Sequence, residues 1–186
     1  MGGGILERVE KIKNDLFYLK CLSLNDLKER GRQFCRHDYQ HMVLVSEISY
    51  KMIMEDQGME RFIINEGLTG FSQARDIIYA AGLLHDIGRW RQYENGDDHA
   101  LAGADMSIAV LERAGFTPKE IQITTRAIGE HRRAGPGASY LGRVLCLADD
   151  LSRPCPTCQA RPECYKAESM DSIREKNTVG LCPDVG

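Results

Sequence analysis

The chain has no run approaching the roughly 18 consecutive apolar residues that a membrane span needs, so a transmembrane helix is not expected. Its start lacks the basic, apolar and small-residue regions of a secretory signal, and Leu6 stands where a myristoylation pattern needs Ser or Thr. A cytoplasmic protein with no membrane partner is the expectation, with Gly2 to Gly4 as a flexible start. Positive charge is not in excess either. Against 27 Asp and Glu stand 24 Lys and Arg, a net charge of -3, so nothing draws the chain in bulk to nucleic acid. Internal repeats and low-complexity tracts are absent, and no feature speaks to oligomeric state. Histidine is scarce, with five in 186 residues, and this scarcity makes their positions informative.

What the chain does have is 42% apolar and 27% charged residues, enough to bury the core of one compact domain. The apolar pattern is helical and never alternates for long. Ile5, Val9, Ile12, Leu16 and Leu19 follow three-and-four spacing, as do Leu44, Val45, Ile48 and Met52 after His41. Further helices are expected over about 73–85 and over about 99–114, the latter closed by Gly115. Thr117-Pro118-Lys119-Glu120 reads as a capping box opening a helix that runs to about His131. Gly135-Pro136-Gly137 interrupts the chain, and Tyr140, Leu141, Val144, Leu145, Ala148 and Leu151 mark one more apolar face. From Pro154 the periodicity stops, and the tail reads as an appendage.

Seven cysteines, an odd number without a secretion signal, point to reduced thiols or metal ligands rather than a disulfide framework. Cys21, Cys35 and Cys146 read as small buried apolar residues. Cys155 and Cys158 have the two-residue spacing of a metal half-site, with Cys164 and Cys182 available to complete a knuckle for structural zinc; iron–sulfur chemistry and free thiols are the alternatives.

Four of the five histidines, His37, His41, His85, His99 and His131, fall at expected helix ends, where a bundle can aim side chains into one pocket. The pair His85-Asp86 ends the apolar run "YAAGLLHDIGRW". A carboxylate at the edge of a core is costly unless paired, and a divalent cation is one remedy. Asp38, in the second His-Asp pair, reads as a helix-start carboxylate. Periodicity alone does not separate Asp149 from Asp150, nor His37 from His41, one turn apart on the same face.

In order along the chain, "HMVLVSEISY", "AAGLLHDIGRW", "DDHALAGADMSIAVL", "AIGEHRRA" and "VLCLADDLS" resemble the HD-domain metal-dependent phosphohydrolases over about residues 36–152. The resemblance implies an all-α HD-domain helical bundle with a short Cys-containing C-terminal appendage. It divides the chain into an N-terminal helical segment (1–35) packed on the core, the metal-binding domain (36–152) and the tail (153–186). It implies metal ligands His41, His85, Asp86 and Asp149, with His99 and His131 added as in the two-metal, His-rich bacterial subgroup, and with Asp86 bridging. It favours Asp149 over Asp150 and His41 over His37.

Imidazoles and carboxylates suit iron, manganese, zinc or cobalt without choosing among them. Two such ions can share a hydroxide nucleophile and stabilise phosphoryl oxygens, which gives Asp86 its catalytic role. Arg89, expected to be catalytic, and Arg132 and Arg133, expected to bind substrate, lie beside the ligands, and their forked donors suit a phosphate. The expected partner is a small phosphorylated substrate, a nucleotide above all. A non-catalytic nucleotide-sensing module and a di-iron oxygenase of the same fold are the competing readings. Arg89 stands where several HD families carry lysine, and neither a "GYP" signature nor an "HDxxED" element is present, so substrate identity does not transfer.

Overall fold

The computed structural model describes residues 6–178, and among these it contains ten α-helices and no strand. They are α1 (Glu7–Lys13), α2 (Leu16–Glu29), α3 (Tyr39–Met54), α4 (Gly58–Glu66), α5 (Phe71–Leu84), α6 (Arg89–Asn95), α7 (His99–Ala114), α8 (Pro118–Glu130), α9 (Tyr140–Leu151) and α10 (Ala167–Thr178). The fold is an all-α bundle. None of the described helices is long and apolar enough to cross a membrane.

Helix starts are set by side-chain caps. Asp38 accepts from the His41 amide at 2.9 Å, Asp98 from the Ala100 and Leu101 amides, and Ser139 from the Gly142 amide. Thr117 and Glu120 form the expected capping box with Pro118 in the first turn of α8. Gly115, with a left-handed φ of 85°, closes α7 as expected.

α5 lies at the centre of the bundle. Its residues 77, 78, 80, 81, 83 and 84 are fully buried, and it packs along α3 and α8. The approach to α3 is close because residue 82 is glycine. A Cβ there would sit 2.5 Å from the Ser46 Cα and 2.7 Å from the Ser46 amide nitrogen. α7, α8 and α9 complete the wall, so that the ends of α5 and α8 and the starts of α3 and α7 open on one side.

The expected continuous first helix is in fact two. The chain breaks at Asn14 and Asp15, where the Asp15 side chain caps α2 by accepting from the Phe17 and Tyr18 amides. The phase changes with the break. Val9 and Ile12 are fully buried, while Leu16 is 83% exposed and Leu19 42% exposed, so the core face of α2 is instead Tyr18, Cys21, Asn25 and Glu29. Leu44 also turns outward from α3. α4, α6 and α10 had no expectation attached; α6 and α10 each bury little, and so leave no clear apolar stripe.

Arg8 clamps α1 to the core. It donates to Asp76 on α5 and Glu120 on α8, both at 2.8 Å, and its guanidinium lies 4.3 Å from the centre of the Phe116 ring. Burial pushes the Glu120 carboxyl up, but the Thr117 amide and Arg8 outweigh it and hold the group below its ordinary value. A lowered folded pKa gives stability that is fully present above the unfolded value and lost as pH falls through the folded one. Arg8→Ala is therefore expected to cost about 2–4 kcal/mol near neutral pH. The difference from wild type should shrink as pH falls below the ordinary carboxylate range and Glu120 protonates. Denaturant titrations at a series of pH values test this; a deficit equally large in acid would show that packing, not charge, is what was lost.

Candidate metal centre

The turn between α5 and α6 brings His85 and Asp86 to the open side of the bundle, and helix ends supply the rest. His41 lies in the first turn of α3, His99 begins α7, His131 follows the last residue of α8, and Asp149 is in the last turn of α9. Two sets of ligand atoms lie within 4.8 Å of one another: His41, His85, Asp86 and Asp149, and Asp86, His99 and His131. The six residues singled out in sequence are thus brought together. Asp149 rather than Asp150 joins the cluster.

Asp86 faces both sets with different oxygens. Its Oδ2 is 3.5 Å from His85 Nε2 and 3.9 Å from His41 Nε2, while its Oδ1 is 3.2 Å from His99 Nε2 and 3.6 Å from His131 Nε2. Asp149 Oδ1 is 3.1 Å from His41 Nε2 and 3.8 Å from His85 Nε2. In all four imidazoles Nδ1 is engaged on the outer side. His85 Nδ1 meets the Gly82 carbonyl at 2.7 Å, His131 Nδ1 the Ile128 carbonyl at 2.6 Å, His99 Nδ1 the Gln92 side-chain oxygen at 2.8 Å and His41 Nδ1 the Ser152 hydroxyl at 3.2 Å. A carbonyl partner requires Nδ1 to carry the proton, which leaves the Nε2 lone pair directed inward.

These groups form a donor set that could hold a cation. His41 Nε2, His85 Nε2 and both carboxylate oxygens of Asp86 are buried without a hydrogen-bond partner. Imidazole lone pairs set against a buried carboxylate repel unless positive charge lies between them, so the residues fit divalent metal ions. Charge and burial set the ionisation of these groups. Burial raises the Asp86 carboxyl, but Arg89, His85 and His37 prevail and hold it well below the carboxylate range. Burial, reinforced by Arg89, lowers His99 to about 3, so its ring is neutral. His85 moves the other way: burial lowers it, and Asp86 and Asp149 more than compensate.

Several supporting residues have no expectation in the sequence reading. Buried Asn25 on α2 donates to the Asp86 carbonyl at 2.9 Å and accepts from the Trp90 amide at 2.8 Å, fixing the turn that bears the ligands. Glu29, one turn on, accepts from the His37 amide and the Tyr93 hydroxyl and pairs with His37 Nδ1. A usable signal existed. Residues 18, 21, 25 and 29 share one face of α2, and polar groups on a buried face require partners. His37 lies beside the cluster and outside both sets, with Nε2 3.8 Å from Asp86 Oδ2; burial lowers it to about 4.

Arg153, at the start of the tail, is another supporting residue without a signal in the sequence. It pairs with Asp149, which with Asp86 keeps its guanidinium charged despite burial, and its Nη1 is 3.0 Å from His37 Nε2. Arg89 packs against Gln92, His99 and His37 at the floor, while Arg132 pairs with Asp98 at 2.9 Å and is exposed along with Arg133. All four arginines line a cleft of about 510 Å³ above the cluster, together with Arg32 and Lys166. Cys155, Cys158 and Cys164 are half-buried free thiols, and Cys182 lies outside the described residues. Cys21 is buried as expected. Cys35 and Cys146 depart from their expected place in the core: both are half-buried and line the cleft, Cys35 from the connection between α2 and α3 and Cys146 from within α9.

An all-helical bundle converges four histidines and two aspartates on one side, in groups that could hold metal ions. The chain belongs to the HD domain family, whose model matches residues 38–153. It is 31% identical over 169 residues to an uncharacterized protein of Clostridium beijerinckii, covering 91% of this chain and 98% of that one. It is also similar, at 30% identity over 90 residues, to the bifunctional uridylyltransferase/uridylyl-removing enzyme of Bradyrhizobium diazoefficiens. That match takes in 47% of this chain and only 9% of the relative. The enzyme of the same name from Mycobacterium tuberculosis matches at 34% over 56 residues, 6% of its length. No solved structure matches the chain.

Proposed function

We propose that the protein is a metal-dependent phosphohydrolase that cleaves a phosphoester of a nucleotide or another small phosphorylated metabolite. The observation that carries this reading is Asp86, whose two oxygens face two separate ligand sets at the base of a cleft lined by cationic side chains. His41, His85, Asp86 and Asp149 would hold one ion, and Asp86, His99 and His131 the second. Bound there, such ions supply Lewis acidity toward phosphoryl oxygens and make water nucleophilic near neutral pH.

The chain's own groups supply the rest. Arg132 and Arg133, exposed at the rim, are placed to receive a phosphate from solvent with forked donors. Arg89 and Arg153, deeper in the cleft, keep the carboxylates Asp86 and Asp149 ionised and so competent as ligands. Glu29 orients His37, whose Nε2 is then directed at Arg89 and Arg153. Similarity to the two uridylyl-removing enzymes supports a nucleotidyl phosphoester among the substrates to try first.

The test combines metal analysis with a substrate panel. A Cys155→Ser, Cys158→Ser variant reconstituted with iron or manganese is expected to hold about two ions per chain outside the tail. It should release phosphate or a nucleoside monophosphate from at least one member of a panel of nucleotides and simple phosphate esters. Retention of at most one ion would withdraw His99 and His131 as ligands. Two ions with no turnover on any substrate would favour the nucleotide-sensing reading.

A further inference from the structure

Outside the His and Asp cluster, the tail presents a second grouping of metal-ligating side chains. Two 3₁₀ turns, Cys155–Thr157 and Arg161–Glu163, set its course. The Cys158 amide donates to the Cys155 carbonyl at 3.3 Å, the Arg161 amide to the Cys158 carbonyl at 3.2 Å, and the Cys164 amide to the Arg161 carbonyl at 3.1 Å. Each of these three cysteines therefore sits at the mouth of a tight turn, the arrangement in which closely spaced thiols converge on one centre.

The connection between α2 and α3 meets them from the other side. Gln33 donates to Glu163 at 2.8 Å, and Cys35, two residues on, lines the same cleft as Cys155 and Cys164. The Cys155 thiol is raised first by burial and then by the thiols of Cys35, Cys164 and Cys158, all within electrostatic reach, while Arg174 opposes them. Cationic groups border the thiols: Arg153 feels Cys35, and Arg161 feels Cys155 and Cys164. Such cations suit a centre whose four thiolates leave it negative.

The tail also needs a staple. Between residues 154 and 178 only Ala160 and Met170 are buried apolar side chains, too small a core to order two 3₁₀ turns and a helix. Among the described residues, Cys35, Cys155, Cys158 and Cys164 are free of disulfides. A metal centre is the remaining common device for a segment of this size.

We infer that Cys35, Cys155, Cys158 and Cys164 form a four-thiolate site for an iron–sulfur cluster, with Cys35 in the place that spacing alone would give to Cys182. A cluster is chosen over a single zinc ion on spacing. Four thiolates about 2.3 Å from one zinc hold their sulfurs about 3.8 Å apart. Among the described residues, only the His and Asp sets bring three or more ligand atoms within 4.8 Å of one another. A cluster carries its irons inside a wider thiolate shell. Because Cys35 precedes His37 by two residues and Arg153 precedes Cys155 by two, the centre would tie both sides of the cleft rim together.

The experiment uses the full chain purified without oxygen, analysed for acid-labile sulfide, iron and zinc. Sulfide is the discriminating readout, since the His and Asp cluster holds none. About one cluster per chain is expected, lost in Cys35→Ser and in Cys155→Ser and kept in Cys182→Ser and Cys21→Ser. Zinc without sulfide, lost in the same variants, would retain the ligands and overturn the cluster. Sulfide that survives Cys35→Ser but not Cys182→Ser would overturn the ligand set, and a chain with neither centre would overturn the site. If a variant fails to fold, alkylation mapping of the wild-type chain decides. Cys35, Cys155, Cys158 and Cys164 should be protected until the cluster is destroyed by oxidation, and early labelling of Cys35 would count against it.

Discussion

Asp86→Ala is expected to lower phosphohydrolase turnover by at least about 10³-fold, equivalent to about 4 kcal/mol of transition-state stabilisation, with helix content preserved. The size follows from geometry. Asp86 is the one residue common to both ligand sets, so removing its carboxylate strips a ligand from each at once, whereas His41 or His131 belongs to one. Alanine also leaves the cations of Arg89 and Arg153 without the buried negative charge they face. The fold should survive because the turn itself is held through the Asp86 carbonyl, which Asn25 contacts, and through buried Ile87. The measurement is steady-state kinetics on the best substrate from the panel, with metal content and circular dichroism on the same preparation. Near wild-type turnover in Asp86→Ala would remove the hydrolase mechanism and leave the sensor reading as the better one.

Gly88→Ala should reach the same site by a different route. Its backbone, with φ of -86° and ψ of 0°, is open to any residue, so conformational freedom is not the reason for glycine. Space is. A Cβ at residue 88 would lie 2.6 Å from both the Gly103 amide nitrogen and the His99 carbonyl oxygen, backbone atoms of the first turns of α7 that cannot rotate aside. The helix must shift, carrying His99 away from Asp86. The expected cost is about 1–3 kcal/mol of stability, together with loss of the ion held by Asp86, His99 and His131. Gly129→Ala is the control. Its Cβ would meet side-chain carbons at 3.7 and 3.8 Å, ordinary contacts, and the substitution should be neutral or gain about 0.5–1 kcal/mol in the helix. Thermal unfolding and metal stoichiometry of the two variants test the contrast. Equal stability and equal metal content in Gly88→Ala would show that α7 accommodates the methyl group.

The helical class, the capping box at Thr117 and Glu120 and the stop at Gly115 were legible because each depends on residues within a few positions of one another, and the structure has them as read. The candidate ligands were legible for a related reason: ionisable residues at the ends of apolar helices are conspicuous against the composition around them. The split between α1 and α2 was not, since Leu16 and Leu19 keep the helical spacing while the Asp15 cap resets the phase, and which face is buried depends on the partner helix.

The sequence by itself thus determined an all-helical chain with a set of imidazoles and carboxylates at its helix ends. Only the tertiary structure decided that Asp149 and not Asp150 turns inward, that Asp86 offers one oxygen to each ligand set, and that Asn25, Glu29 and Arg153 hold the cluster. It also decided that Cys35 faces the tail across more than a hundred residues. The physical reason is range. Periodicity and capping act over one or two turns of helix, whereas convergence of side chains depends on how closely backbones approach, and here that distance is set by residues such as Gly82 and Gly88, whose significance lies in a missing side chain.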